Sequence, residues 1–237
     1  MVSKKHNCIF IHIPKVAGQS IELFFLNLNK LDWSTREKLI LKENNNPKKG
    51  PPRLAHLKSN EYVDLKHVSN KDFNNFYKFS FVRNPWDRIV SLYKFSKINQ
   101  SISFHRFVKK ILPKLIKKEE WFYGKQYNFI YHKNKQNVDF VGKFENLHQD
   151  FSIVCSKLNI KFDKLPHKNK SIQDNGLNRI KNQLKFLIFN PTELFYFQPD
   201  LIKSRDYREY YTSDELIHLV YQMYKEDVET FNYKFDN

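Results

Sequence analysis

The sequence has few cysteines, no long apolar run and no cleavable leader pattern, and each absence excludes a class of protein. Its two cysteines, Cys8 and Cys155, show neither metal-ligand spacing nor a disulfide framework, so both are expected to be small buried residues in a reducing compartment. No segment approaches the ~18 uninterrupted apolar residues of a membrane span. No small-residue cleavage site follows the N-terminal lysines, which argues against a secretory signal. We therefore expect a soluble, cytoplasmic protein without a transmembrane segment.

Acidic residues are scarce relative to basic ones. The chain contains 25 Asp and Glu against 41 Lys and Arg, which gives a formal net charge of +16. Such an excess indicates either an anionic partner, whether nucleotide, acidic glycan, nucleic acid or membrane surface, or a lysine-rich composition with solvated lysine faces. Charge alone therefore selects no ligand.

The composition indicates a globular protein of one domain, 1–237. Hydrophobic residues make up 41% and aromatic residues 16% of the chain, which is enough for a real core. Apolar runs that suit buried strands alternate with helical patterns, and this alternation predicts an α/β fold with a mainly parallel sheet flanked by helices on both faces. The predicted strands run from Cys8 to Ile13, Phe79 to Val82 and Val138 to Phe144, and the main predicted helices run from Ser20 to Leu28, Pro85 to about Lys97, Phe104 to Ile116 and Ser213 to about Phe231.

The segment FIHIPKVAGQSIE, residues 10–22, joins the first predicted strand to the first predicted helix. It lacks the Gly-x-x-x-x-Gly-Lys-Ser/Thr pattern of nucleoside triphosphate sites. Its turn still presents successive backbone N–H groups, Gly18 allows a close backbone approach, and the positive end of a helix beginning at Ser20 points into the turn. Lys15 adds a mobile positive charge. These features predict an anion nest, although a surface turn with an incidental lysine fits a loop with one glycine equally well.

The segment FSFVRNPWDRIVSLYKF, residues 79–95, is a second candidate for holding an anion. Asn84 suits a helix cap and Pro85 the first helical position, so Arg83 is expected at the end of a strand with a helix directly after it. Arg83 and Ser91 could grip a terminal phosphate through a guanidinium fork and a hydroxyl. Arg88 is expected to form an ion pair with Asp87 or at the surface, and the neighbouring Trp86 to pack in the core.

These two segments resemble the nucleotide-binding motifs of one enzyme family. FIHIPKVAGQSIE resembles the 5′-phosphosulfate loop of sulfotransferases that use 3′-phosphoadenosine 5′-phosphosulfate (PAPS), in which Pro-Lys-Thr-Ala-Gly-Thr-Ser is typical. FVRNPWDRIVSLY resembles their 3′-phosphate motif, particularly in the family 2 branch of carbohydrate 2-O-sulfotransferases and small bacterial relatives. The stretches VDFVGKFENLHQDF, HKNKS and YREYYTSDELIHLVYQMYKEDVETFNY also fit, so that the similarity spans nearly the whole chain in the expected order.

The resemblance implies a P-loop-like fold, PAPS as the sulfuryl donor, adenosine 3′,5′-bisphosphate as the product and no metal. It assigns the 5′-phosphosulfate to Lys15, Val16, Ala17, Gly18, Gln19 and Ser20. Val16 and Gln19 stand where threonines are common, so two hydroxyls are missing while the backbone nest remains. Arg83 and Ser91 would hold the 3′-phosphate, and Lys168 and Ser171 of HKNKS would add contacts to the nucleotide.

Sulfuryl transfer requires a base for the acceptor hydroxyl and a cation near the oxygen that leaves with the phosphate. Lys15 is the candidate cation. His56, in RLAHLKSNEYVDL, is the candidate base, because related enzymes have their catalytic histidine at a corresponding place. Three carboxylates are alternatives for the base: Glu22, Glu61 and Glu145.

Six further histidines are expected to have other roles. His12 alternates within a strand and is expected to be a packed or hydrogen-bonded core residue, and His167 could contact the nucleotide. Four others lie in polar segments and are expected at the surface: His67, His105, His132 and His148.

The acceptor is the least defined partner. A glycan or another hydroxyl compound is expected from the resemblance, no nucleic acid partner is expected, and an insertion at about 172–206 could be a lid, an acceptor surface, a dimer contact or extra packing. Two other functions remain open. A nucleotide or small-molecule kinase would share the strand-loop-helix arrangement, and a non-catalytic basic module that binds glycan or nucleic acid would explain the charge.

Overall fold

The computed structural model describes residues 1–166, 188, 198 and 206–236. These residues form two compact units. The first contains 1–83 and 124–166, and the second contains 84–123 together with the described residues from 188 onward. The single domain stays a prediction, and the insertion at about 172–206 lies almost wholly outside the described residues.

The first unit is built on a four-stranded sheet, and a separate two-stranded hairpin accompanies it. The strands are β1 Val2–Ser3, β2 Cys8–Ile11, β3 Tyr77–Val82, β4 Tyr131–His132, β5 Lys135–Gln136 and β6 Phe140–Lys143. The sheet has the order β1-β2-β3-β6; β1 is antiparallel to β2, whereas β2, β3 and β6 are parallel. The predicted α/β fold with a mainly parallel sheet is confirmed.

Helices follow the strands along the chain. They are α1 Gly18–Leu28, α2 Glu61–Asp64, α3 Asn70–Asn75, α4 Pro85–Phe95, α5 Phe104–Arg106, α6 Leu112–Lys118, α7 Glu120–Tyr123, α8 Tyr127–Ile130, α9 Leu147–Lys157, α10 Asp214–Met223 and α11 Lys225–Thr230. A π-helical segment, Phe107–Ile111, joins α5 to α6. Short 3-10 turns lie at Lys4–His6, Arg36–Leu39, Pro47–Lys49, Leu54–His56, Ile98–Gln100, Phe144–Asn146 and Tyr207–Tyr210.

Phenylalanine rings attach α1 and α9 to one face of the sheet. Phe25 of α1 lies 6.1 Å from Phe79 of β3, and Phe151 of α9 lies 6.3 Å from Phe81, between ring centroids. Gly142 of β6 gives the Phe81 ring its space, since a Cβ there would lie 2.4 Å from Phe81 Cε1. These buried aromatic rings form a connected cluster between the sheet and the two helices.

Several boundaries differ from the sequence prediction. β2 ends at Ile11 rather than Ile13, and α1 begins at Gly18, two residues before Ser20. The C-terminal helix is divided at Tyr224, which leaves helical geometry (φ −123°) while its buried hydroxyl donates to the Tyr123 carbonyl. Ser213 makes no side-chain cap bond. At Tyr224 this tertiary hydrogen bond accompanies the break in the helix, and the other boundaries differ by only a few residues.

The second unit contains α4, whose start follows the sequence prediction. The Asn84 side chain accepts a hydrogen bond from Trp86 N, and Pro85 occupies the first turn. Trp86 is buried, as predicted, and its Nε1 donates to the Ile217 carbonyl. The expectation of a surface ion pair for Arg88 is wrong: its side chain is 1% exposed, and Nη2 donates to the Phe122 carbonyl. This position on α4 is thus covered by another segment of the same unit.

Both cysteines are buried, as expected of small core residues. Across the described ranges, none of the helices has the length and apolar character needed to cross a membrane.

Candidate active site

The ends of three parallel strands meet at one edge of the sheet in the first unit. Lys15 follows β2, Arg83 follows β3 and Phe144 follows β6. Arg83 Nη1 donates to the Lys15 carbonyl at 3.1 Å, and Arg83 Cζ lies 4.3 Å from the centre of the Phe144 ring. Ligands of open α/β sheets bind at this carboxyl edge. The structure therefore brings together Lys15 and Arg83, which lie in two separate motifs of the sequence.

The loop before α1 has an unusual backbone. Lys15 (φ 72°) and Ala17 (φ 62°) both adopt the left-handed region, which non-glycine residues rarely enter. Val16 between them does not have a positive φ, so the backbone alternates between the two hands. In anion nests, such alternation turns successive N–H groups to one side. Val16 is fully buried, so it anchors the loop in the unit and presents no accessible surface to a ligand. The loop thus has the backbone alternation that a nest requires, and its left-handed positions lie at residues other than glycine.

The ionisable side chain of Lys15 is partly buried. Burial, together with the nearby Arg83 guanidinium, lowers the pKa of Lys15 from 10.5 to about 8. Both causes disfavour the ammonium form. An anion bound in the nest would have the opposite effect and keep Lys15 charged.

Gln126, which no sequence motif marks, holds the backbone of Arg83. Gln126 is fully buried, and its side-chain amide closes a ring with the Arg83 backbone: Oε1 accepts from Arg83 N at 2.9 Å, and Nε2 donates to Arg83 O at 2.8 Å. A side-chain amide can pair with a backbone unit in this way because it has both a donor and an acceptor. Gln126 therefore fixes the backbone of Arg83 directly after the end of β3.

Gly18 provides space for the ring of His12. A Cβ on Gly18 would lie 1.9 Å from His12 Nε2 and 2.0 Å from His12 Cδ2. His12 is buried, as predicted, and its Nδ1 is 2.5 Å from Oε1 of the buried Glu22. The close approach at Gly18 is thus made by a side chain of the protein itself, and Glu22 of α1 holds that side chain beneath the loop.

His56 lies beside His12. It is 7% exposed, its ring centroid is 4.5 Å from that of His12, and its Nδ1 is 2.9 Å from the His12 carbonyl. A carbonyl only accepts hydrogen bonds, so Nδ1 carries the proton and Nε2 of the neutral ring carries the lone pair. Burial, with further contributions from His12 and Arg53, lowers the pKa of His56 well below 6.5. His56 is therefore a neutral histidine whose basic atom is Nε2.

Other predicted candidates lie elsewhere or have other contacts. Glu61 begins α2 and accepts from Lys58 N at 2.7 Å, and Glu145 lies exposed in the turn after β6. Ser91 lies half-buried on α4 of the second unit. Lys168, Ser171 and His167 lie outside the described residues. His105, His132 and His148 are exposed as predicted, and His67 is half-buried.

A metal centre would require a cluster of ligating side chains. Within 1–166 and 206–236, no group of three or more His, Cys, Asp or Glu side chains is placed to hold a metal ion.

Comparison with known proteins adds to this geometry. A protein of Archaeoglobus fulgidus, described only as uncharacterized, is 32% identical over 115 residues, which is 46% of this chain and 88% of that protein. Residues 1–234 match the model of the Sulfotransferase family. This match covers both anion-binding segments and almost the whole chain. The chain therefore belongs to the sulfotransferase family, as the two motifs indicated.

Proposed function

We propose that the protein transfers the sulfuryl group of PAPS to a hydroxyl group, in particular of a saccharide, with His56 as the general base. One observation carries the proposal: in a single compact unit, His12 links the anion nest to His56. The His12 ring lies against Gly18 of the loop, and its carbonyl bonds to His56 Nδ1. Sulfuryl transfer requires both parts, a cradle for the donor and a base for the acceptor.

The nest fits the phosphosulfate end of the donor. The alternating backbone from Lys15 to Ala17 and the charged side chain of Lys15 suit an anion with several oxygens. Gln19 and Ser20 follow on α1 and complete the proposed set of 5′ contacts. Binding of the 3′-phosphate by Arg83 and Ser91, and further contacts from Lys168 and Ser171, remain predictions from the motifs. When bound, PAPS supplies an activated sulfuryl group.

The residues of the chain then have separate roles. His56 Nε2 accepts the proton of the acceptor hydroxyl, while the acceptor oxygen bonds to sulfur and the bond from sulfur to the bridging oxygen breaks. The Lys15 ammonium stabilises the negative charge that collects on that bridging oxygen. Gly18, His12 and Glu22 hold the loop and the base in fixed positions. No proton donor is needed for the departing phosphate oxygen, since it leaves as an anion.

The family match favours this function over the two alternatives. A kinase would use a Gly-Lys-Ser/Thr pair and a carboxylate that binds magnesium, and neither occurs with the nest. A non-catalytic basic module has no use for a buried neutral histidine 4.5 Å from the ring that supports the nest. The charge of +16 fits any anionic ligand and so does not decide among them.

We expect adenosine 3′,5′-bisphosphate to raise the melting temperature of the protein much more than AMP does. Both nucleotides offer a 5′-phosphate to the nest, but only the bisphosphate offers a 3′-phosphate to Arg83. Ligands that bind only the folded state stabilise it in proportion to the logarithm of concentration over Kd. Thermal unfolding at matched nucleotide concentrations measures the difference.

Arg83→Ala is the companion variant for this measurement, and we expect it to remove most of the advantage of the bisphosphate over AMP. Lys71→Ala, which removes an exposed charge from α3, should leave that advantage unchanged. Equal stabilisation by ATP with magnesium would instead support a kinase.

We also expect kcat/KM for sulfuryl transfer to fall as the pH rises through about 8, because the pKa of Lys15 is lowered to about 8 in the free protein. Lysine loses its positive charge above its pKa, so the loss of activity lies on the alkaline side, and kcat/KM reports the free enzyme. Lys15→Arg should move this alkaline limb by about two pH units or more, since arginine stays charged. An unchanged limb in Lys15→Arg would show that another group titrates.

A further inference from the structure

The guanidinium of Arg83 is oriented by neighbouring groups of the first unit. Nη1 donates to the Lys15 carbonyl at 3.1 Å, and Cζ lies 4.3 Å from the centre of the Phe144 ring. A guanidinium has five N–H donors, so it can bond to a backbone carbonyl and to a phosphate at the same time. A side chain that is already oriented loses less rotamer freedom when it binds a ligand. The contacts that orient Arg83 therefore bear on its affinity for an anion.

Gln126 fixes the backbone from which this side chain extends. Val82 is the last residue of β3 and is paired with Lys143 of β6, and Arg83 follows it. The buried amide of Gln126 then pairs with both backbone groups of Arg83, at 2.9 Å to the N–H and 2.8 Å to the carbonyl. One side chain thus gives Arg83 the two hydrogen bonds that a neighbouring strand would give. The position of the Arg83 Cα is set by this pair.

Phe144 contacts the other end of the Arg83 side chain. It directly follows β6, begins a 3-10 turn and is half-buried. The face of an aromatic ring attracts a cation, and a guanidinium that lies against a ring keeps its N–H groups for hydrogen bonds. Phe144 therefore supports the Arg83 cation without competing with a phosphate for its donors.

From these contacts we propose that Gln126 and Phe144 are positioning residues for recognition of the 3′-phosphate, and that both act through Arg83. Gln126 sets the backbone of Arg83, and Phe144 sets the place of its guanidinium. The inference rests on the proposed use of PAPS. It adds two residues that lie outside both anion-binding segments, 10–22 and 79–95, and that come from elements far along the chain.

The ratio of the Kd for AMP to the Kd for adenosine 3′,5′-bisphosphate, measured by calorimetry, tests this proposal. Gln126→Met keeps an unbranched side chain of similar length and removes both hydrogen bonds, and Phe144→Leu removes the aromatic face. We expect each substitution to lower the ratio about three- to tenfold. The affinity for AMP should change much less, because AMP offers no 3′-phosphate to Arg83. Phe144→Tyr retains the ring and should retain the ratio of the wild type.

Matched variants in the first unit separate these roles from a general loss of packing. Ser80→Ala removes another buried hydrogen bond of the sheet, which Ser80 Oγ donates to the Ile11 carbonyl at 2.7 Å. Phe162→Leu removes another half-buried ring, which packs against Phe151 at 5.1 Å between centroids. Both variants should keep the wild-type ratio of Kd values, even where they lower the melting temperature.

A double-mutant cycle shows whether the two residues act through Arg83. In an Arg83→Ala background, Gln126→Met and Phe144→Leu should lower the ratio no further, since residues that act as one unit are not additive. A further loss in that background, or an unchanged ratio in a single variant, would overturn the role of the residue concerned. If Gln126→Met does not fold, Phe144→Leu at its half-buried position still decides the proposal. If Arg83→Ala alone lowers the ratio, only the positioning roles have failed; if the wild type does not prefer the bisphosphate, the proposed use of PAPS has failed.

Discussion

Replacing His56 with alanine is expected to lower kcat about 100- to 10,000-fold, the usual contribution of a positioned general base. Affinity for adenosine 3′,5′-bisphosphate should be nearly unchanged, because His56 bonds to the His12 carbonyl and is not among the groups proposed to hold the donor. The pKa of His56 is lowered well below 6.5 by burial, so the ring is already in its basic form at neutral pH. Initial rates with saturating PAPS and acceptor, together with bisphosphate titration, measure both quantities.

The alanine variant also removes a hydrogen bond from a buried carbonyl, and this structural effect needs its own control. The unpaired His12 carbonyl should cost about 1–3 kcal/mol of stability, so rates must be compared well below the melting temperature of the variant. His67→Ala is a control outside the site, because the His67 ring also bonds to a backbone carbonyl, that of Lys49 at 2.7 Å, in a more exposed position. A comparable loss of kcat in both variants would mean that His56 acts only through stability.

The His56→Ala variant would retain activity if a carboxylate were the base, and Glu22 is the buried candidate. If Glu22 is the base, His56→Ala should remain active and Glu22→Gln should not. Glu22 is an unfavourable position for that role, because its Oε1 is already 2.5 Å from His12 Nδ1 and the side chain is almost fully buried. We therefore expect Glu22→Gln to act on the position of His12 and to lower activity less than His56→Ala does.

The parts of the site that the sequence predicted are those with local signals. The apolar run before Pro14 predicted a strand followed by a loop, and Asn84 and Pro85 predicted where α4 starts. Both signals arise from residues within one or two turns of the feature they specify. The placement of Lys15 and Arg83 at strand ends then follows, because parallel strands share one carboxyl edge.

The parts that could not be predicted depend on residues far apart in the chain. Gln126 lies 43 residues from Arg83, and the 3-10 turn that contains His56 lies 44 residues from His12. Arg88 is expected from the sequence to form an ion pair with Asp87 or at the surface, yet it is buried and its Nη2 donates to the carbonyl of Phe122, 34 residues away. Left-handed geometry at Lys15 and Ala17 has no sequence mark, since neither residue is glycine, asparagine or aspartate.

The second large effect is expected from Gly18→Ala. The added Cβ would lie 1.9 Å from His12 Nε2, a distance that no packed structure tolerates, so the His12 ring or the loop must move. His12 cannot rotate freely because Glu22 holds its Nδ1, and its carbonyl supports His56. We expect a loss of about 1–3 kcal/mol in the free energy of unfolding, together with weaker bisphosphate binding and a lower kcat, measured by urea denaturation, calorimetry and initial rates.

Gly142→Ala separates overpacking from damage to the site. A Cβ at Gly142 would lie 2.4 Å from Phe81 Cε1, so it should also reduce stability, but we expect bisphosphate affinity to remain close to that of the wild type.

The clash with His12 can be tested directly by removing its ring. In a His12→Ala/Glu22→Gln background, the Gly18→Ala substitution should cost much less stability than in the wild type, since contacting residues are not additive. An equal cost in both backgrounds would show that Gly18 is required for the loop backbone itself, and the His12 ring would then lose its role as the link between the nest and the base.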